Sequence, residues 1–187
     1  MRTYTHGLLT AVLGRKLAEK GVAVDEKAFL AGAVVPDIPF LVLSSWYSFD
    51  RRWRRPYLPD ETLCSPTYNW LFRNDPWWIF TYNVLHAPLV LLLLAAVGFL
   101  GRRRPWGRRL LWFVVACMGH TGIDMVTHVD DGPLWQFPFD WQTRWAAPVS
   151  YWDEAHGGRW MRVVEHLLDV GLLLIWWRQV RRARRGV

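Results

Sequence analysis

Residues 77–100 read WWIFTYNVLHAPLVLLLLAAVGFL, an apolar run without a single Asp, Glu, Lys or Arg. A helix needs roughly 20 such residues to cross a bilayer core about 30 Å thick. In lipid the backbone must satisfy its own hydrogen bonds, so a run of this kind is read as helix. Gly101 and Arg102–Arg104 then end it abruptly. The mean hydropathy of the whole chain is only +0.02. The apolar residues must therefore be gathered into segments with polar stretches between them. The chain holds 14 Trp, a residue favoured where one end of a ring is apolar and the other is wet, as at a membrane interface.

The other segments follow from the same reading. Residues 109–128 (RLLWFVVACMGHTGIDMVTH) and 159–178 (RWMRVVEHLLDVGLLLIWWR) form two more apolar helices, the last followed by a basic tail. Residues 27–46 are apolar enough to enter a membrane, but Pro36 and Pro39 break the helix near Asp37. Residues 5–20 read as a helix with Thr5 as N-cap and Gly21 as stop. The 47–76 stretch, aromatic and punctuated by proline, reads as an irregular loop, as does 129–158. No internal repeat is visible. The expected fold is all-α: a polytopic membrane bundle of about four to five helices with a metal site at one end, built as a single domain over residues 1–187.

The formal charge of +7 comes from arginine. Arg102–Arg104, Arg108–Arg109 and the block from Arg178 to Arg185 sit directly beside apolar runs. That is the pattern of membrane-flanking charge, so no nucleic-acid partner is expected. The rule places the 101–109 loop and the tail on the cytoplasmic side, together with Arg15, Lys16, Lys20 and Lys27. Arg51, Arg52, Arg54 and Arg55 fall on the opposite side and weaken the asymmetry. The chain is expected in a bacterial-type inner membrane. Cys64 and Cys117 have no metal-pair spacing and suggest no disulfide framework, and no cleaved signal peptide is evident.

An ionisable side chain at the centre of a membrane helix costs roughly 2.5–3.5 kcal/mol on insertion scales. This chain places His6, Asp37, His86, His120, Asp124, His128, Glu165, His166 and Asp169 in or at its helices. The sharpest pattern is His120-x-x-x-Asp124-x-x-x-His128, whose members lie within roughly 80° on one helix face. Imidazole and carboxylate suit zinc first, and also manganese or iron. An Asp between two His could serve two ions. With the Arg blocks on one side, His86, Asp124, His128 and Glu165 fall at one depth on the other, and His6 and Asp37 can reach it. That depth is the extracytoplasmic end.

Plainer readings compete at each position. A lone His in an apolar helix is commonly a hydrogen-bonded core residue, which would suffice for His86 alone. Asp37 could cap a broken helix, and Glu165 could answer the positive end of a helix dipole. Asp130, Asp131, Asp153 and His156 read as solvated turn residues, though the Asp130–Asp131 pair, so near His128, could help a metal. His166 and Asp169 sit off the common face or one turn deeper and are left out of the site. Arg144, in the outer loop, could clamp a phosphate or be an ordinary surface arginine. His-Glu-x-x-His, a phosphate-binding Gly loop, Gly-x-Ser-x-Gly, Cys-x-x-Cys and an adjacent His-Asp dyad are all missing.

Spaced short motifs run along most of the chain: THGLL near the start, GAVVPDIPF, LHAP, GHTGIDMVTH followed by PLWQFPF, and a late Glu in VVEHLL. Together they resemble the YdjM-like family of membrane-bound metal-dependent hydrolases and, more distantly, the zinc-dependent phospholipase C group. The resemblance implies a helical, metal-assisted hydrolase acting on phosphoesters. Its ligand-like positions match His6, Asp37, His86, His120 and Asp124, and His128 matches a further histidine of the phospholipase group. The last helix offers Glu165 but no His-x-x-x-Glu, a departure from that group.

The expected activity is hydrolysis of a small-molecule or lipid-linked phosphoester by metal-activated water. Asp37, Asp124 and Glu165 are the catalytic candidates. His6, Asp37, His86, His120, Asp124 and His128 are the ligands of a divalent metal, Arg144 contacts substrate, and membrane lipid is the partner. The alternative is a non-enzymatic membrane protein with a structural metal site or an ion path.

Overall fold

The computed structural model describes residues 1–54, 63 and 65–184. Cys64, Arg55 and Arg185 lie outside the described residues. Among those described, the chain is all-helical: α1 (Thr3–Glu19), α2 (Glu26–Val34), α3 (Asp37–Phe49), α4 (Pro66–Asn74), α5 (Pro76–Asn83), α6 (Pro88–Leu100), α7 (Pro105–Thr127) and α8 (Gly158–Arg184). A π-helical turn, Asp50–Arg54, extends α3, and a 3-10 turn, Glu154–His156, precedes α8. Two stretches are long and apolar enough to cross a membrane, Glu26–Arg54 and Pro105–Thr127, with α5 and α6 a third if that bent pair counts as one span.

Proline behaves differently here from a plain breaker. Pro66, Pro76, Pro88 and Pro105 each stand in the first turn of a helix, where the missing N–H is one that has no intrahelical partner anyway. Ser65 caps α4 by accepting from Tyr68 N, and Asp75 caps α5 by accepting from Trp77 and Trp78. The 47–76 stretch is therefore not an irregular loop. Its described part continues α3, forms α4 and opens α5.

Two further expectations shift. The 77–100 run is not one straight span: α5 and α6 meet at 48°. Pro88 holds Ala87 in extended backbone (φ −70°, ψ 121°), and His86 falls in the resulting break. Conversely, Pro36 and Pro39 break 27–46 only mildly. Val35 and Pro36 keep right-handed helical angles, and α2 and α3 run on as one rod with Asp37 at the joint.

α1, α2, α6, α7 and α8 pack side by side. At the basic end Trp112 donates to Ala23 O at 3.1 Å, and Arg109 pairs with Asp25 at 3.3 Å. α2 presses hard on α7: a Cβ on Gly32 would sit 2.0 Å from the Phe113 carbonyl oxygen. The α6–α7 turn is equally close, since a Cβ on Gly107 would lie 2.1 Å from Gly101 O. α8 lies parallel to α1, held by Glu165 at its start and by Gln179, which donates to Val12 O at 3.2 Å near its end. Beyond this layer α3, α4 and α5 form an aromatic cap in which Phe40, Tyr47, Tyr68, Phe72, Trp78 and Tyr82 pack edge to face. The 128–157 segment folds back over the joint, tied by Ala147 N to His128 O and by Tyr151 N to Thr127 O.

Candidate metal centre

Four side chains from three helical contexts meet where the two layers join. Asp37 comes from the α2–α3 joint, His86 from the α5–α6 break, and His120 and Asp124 from adjacent turns of α7. One ligand atom from each lies within 4.8 Å of every other, and the three from His86, His120 and Asp124 are buried.

The hydrogen bonds around the ring decide what these atoms can do. His86 Nδ1 is 2.6 Å from Tyr82 O, and His120 Nδ1 is 2.9 Å from Ala33 O. A carbonyl oxygen only accepts, so both Nδ1 atoms carry hydrogen. In the neutral tautomer both Nε2 atoms then present lone pairs. These lone pairs face each other across 3.2 Å, and both lie 3.3 Å from Asp37 Oδ1. Asp124 Oδ2 is 3.0 Å from His120 Nε2 and 4.0 Å from His86 Nε2. Such a set of acceptors needs a cation or an added proton at its centre. A tetrahedral zinc with bonds of about 2.0–2.1 Å separates its ligands by about 3.3–3.4 Å, close to most of these spacings. The residues fit a divalent ion of that size. Backbone carbonyls on the far ring nitrogens are also the usual way in which ligand histidines are oriented.

The other oxygen of Asp124 faces a second group. His6 Nε2 is 3.1 Å from Asp124 Oδ1, and its ring stacks on His120 at 3.8 Å between centroids. His128 Nε2 is 3.7 Å away and the Met1 amino nitrogen 2.9 Å. His6 Nδ1 is buried with no hydrogen-bond partner among the described residues. Thr3 Oγ1 donates to Asp37 Oδ2 at 2.5 Å, which leaves Oδ1 free to face the imidazoles. The expected ligands thus all converge on Asp124, but in two sets: the compact quartet, and His6 with His128 beside it.

Asp131, read as a solvated turn residue, belongs with this centre. Its Oδ1 lies 3.0 Å from His128 Nδ1, and Trp152 Nε1 donates to its Oδ2 at 2.9 Å. Burial alone would raise its carboxyl, but the bond and charge of His128, with Trp152, outweigh this and hold it below the usual carboxylate range. Its position three residues after His128 was the only sequence signal. Asp130 instead pairs with Arg73 at 2.6 Å on the surface, and Asp153 pairs with exposed His156 at 2.5 Å. Both match the turn reading.

Two further site candidates make contacts outside the quartet. Glu165 is buried, but its Oε1 accepts from Arg2 N at 2.7 Å and from Thr5 Oγ1 at 3.0 Å. Those contacts anchor the start of α1; Glu165 lies outside the quartet, and its Oε2 is buried with no hydrogen-bond partner among the described residues. Arg144 already donates to Gly132 O at 3.2 Å and Phe72 O at 2.9 Å, with its guanidinium 4.1 Å from the Phe72 ring centroid. Burial lowers the pKa of that guanidinium from its ordinary value. It fastens the outer loop to α4.

The centre borders a cavity. A cavity of about 420 Å³ is lined by Asp37, Asp124, His128 and Asp131, but not by His6, His86 or His120. A molecule in it meets these carboxylates and His128 together with the Met1 amino group, which lies 2.9 Å from Asp124 Oδ1. Comparison with known proteins returns no matching family model, no matching curated protein and no matching solved structure.

Proposed function

We propose that this chain is an integral membrane, metal-dependent hydrolase of phosphoesters. The observation that carries the reading is the paired Nε2 lone pairs of His86 and His120, aimed with Asp37 and Asp124 at one point beside an open cavity. The short motifs that resemble YdjM-like hydrolases contain these same residues, which adds support. Zinc suits the donor set, with manganese or iron as alternatives. A divalent ion held there supplies Lewis acidity and a nucleophilic water at neutral pH.

The chain's own groups do the rest. His86, His120, Asp37 Oδ1 and Asp124 Oδ2 hold the ion. Asp124, His6 and His128 provide the donors for a second. Asp131 orients His128 and, as an ionised carboxylate on the cavity wall, is placed to take a proton from an entering nucleophile. The apolar surroundings limit competing water and strengthen each charge interaction.

The bundle is read as four to five membrane helices. α8 supports this despite its charges: Glu165 and Asp169 are buried, while Val163, Val164, Leu167, Val170, Leu173 and Leu174 are exposed as a lipid-facing stripe. With the Arg-rich 101–109 loop cytoplasmic, the centre faces the extracytoplasmic side. A non-enzymatic, structural metal site is the second reading. It is favoured by the four protein ligands of the quartet, since structural zinc sites are closed by four.

The test is turnover of bis(4-nitrophenyl) phosphate by detergent-purified protein, stripped with chelator and reloaded with zinc or manganese. Metal-dependent release of nitrophenolate that is lost in Asp124→Asn supports the hydrolase. Stoichiometric metal with no turnover on this or a phospholipid panel favours the structural site.

A further inference from the structure

α3 carries Asp37, Phe40, Leu41 and Ser44 at three- and four-residue spacing, so one wall leads from a metal-facing carboxylate to a hydroxyl about 10 Å along the helix. The cavity lies along that wall, and its volume of about 420 Å³ falls in the roughly 300–1,000 Å³ range of small-molecule sites. Across from α3 it is bounded by Tyr68, Phe72 and Tyr82. On this stretch the polar atoms of Ser44 and Tyr68 already bond each other at 2.8 Å, so little is left to solvate a polar ligand. The chemistry is therefore split: carboxylates and imidazole at one end, an aromatic and aliphatic sleeve along the rest.

The mouth shows where a ligand comes from. Among the lining residues, Leu41 is 61% exposed, Tyr4 54% and Leu63 48%, so the opening runs between α3 and the start of α1, with Leu63 also at its edge. Ile38 and Val42, beside Leu41, are also exposed on this membrane-length rod. The opening therefore shares the face that an apolar helix turns to lipid. Arg2 stands at the rim, its Nη1 2.9 Å from the Tyr4 hydroxyl.

From these observations we infer that the cavity is a subsite for the apolar chain of a membrane-resident amphiphile. The ligand enters sideways between Tyr4 and Leu41, its anionic phosphoester end passes Arg2 to reach Asp37, Asp124 and His128, and its chain lies against Phe40, Phe72 and Tyr82. This deepens the hydrolase reading and rests on it for the phosphoester end. A freely soluble phosphoester of similar size would leave the sleeve unfilled.

The probe is a pair of non-hydrolysable anions, methylphosphonate and hexylphosphonate, titrated by calorimetry into zinc-loaded protein in detergent. Burying a methylene is worth about fourfold in affinity, so partial burial of the hexyl chain should tighten binding by at least about tenfold. Leu41→Trp, which narrows the mouth, and Leu41→Lys, which charges it, should each bring hexylphosphonate affinity down to that of methylphosphonate measured in the same variant. Leu41 is exposed, so neither variant disturbs the core. Equal affinity for the two phosphonates, no binding of either, or a gain that survives both variants overturns the subsite. Turnover of bis(4-nitrophenyl) phosphate by the same preparations reads the hydrolase separately. Turnover with no dependence on chain length sinks only the subsite, and chain-dependent binding without turnover sinks only the hydrolase.

Discussion

The Nδ1 atom of His120 lies 2.9 Å from the carbonyl oxygen of Ala33, across the interface between α7 and α2. This bond selects the tautomer of His120 and so turns Nε2 toward Asp37, His86 and Asp124. It exists because Gly32, the neighbouring residue, lets α2 approach the backbone of α7. The candidate metal centre thus depends on helix packing as much as on the residues that could hold an ion.

Gly32→Ala puts a Cβ 2.0 Å from Phe113 O, a backbone atom with little freedom to move. Overpacking of this kind costs about 1–3 kcal/mol, and this contact belongs at the upper end. Metal affinity should fall as well, by about 10- to 100-fold, the usual cost of disturbing the partner of a ligand histidine. Thermal unfolding and metal titration on one sample would show the two losses together. A stable variant with unaltered metal affinity would refute the coupling.

His86→Ala and His120→Ala each remove an Nε2 from the quartet. Zinc content of purified protein, measured by mass spectrometry, should drop from about one ion or more per chain to below about 0.3. His166→Ala, on exposed α8 surface and in contact with Arg2, should leave it unchanged. Retained zinc in both quartet variants would remove the site assigned here.

Glu165→Ala deletes a carboxylate that holds Arg2 N and Thr5 Oγ1. Hydrogen bonds to a charged group contribute about 1.5–3 kcal/mol, so stability should fall by about 2 kcal/mol, with Glu165→Gln milder. At a temperature where the variant stays folded, the zinc bound by the quartet should be unchanged. Loss of zinc in a fully folded Glu165→Gln would instead return this residue to the centre.

Arg144→Ala should lower the melting temperature, because Gly132 O and Phe72 O lose their donors. Arg144→Lys should not restore it, since an ammonium cannot reproduce the planar fork over the Phe72 ring. If Arg144→Ala unfolds like the parent but shows a raised KM for a phosphoester, the arginine contacts substrate after all.

Tagging settles the side of the membrane. A reporter fused after the last residue should read as cytoplasmic, because the Arg-rich ends of α6 and α8 both follow the positive-inside pattern. An extracytoplasmic reading would move the centre, and the mouth beside Leu41, to the opposite leaflet.

Much of this protein follows from local rules that act along one helix. The His120 and Asp124 pair needs only the helical repeat, and the structure keeps both His120 and His128 on Asp124, although His128 is the extended residue that ends α7. The apolar runs were likewise set by residue type and order. Tertiary structure decided what depends on two elements at once. His86 enters the quartet only because Pro88 bends the α5–α6 pair and Tyr82 O takes its Nδ1 hydrogen. His6 and His128 fall beside the quartet rather than within it, Asp131 joins through a folded-back loop, and Glu165 turns to the start of α1. Spacing along a chain specifies which face a side chain occupies. Which atom it meets depends on the approach of a second backbone, and no single segment carries that distance.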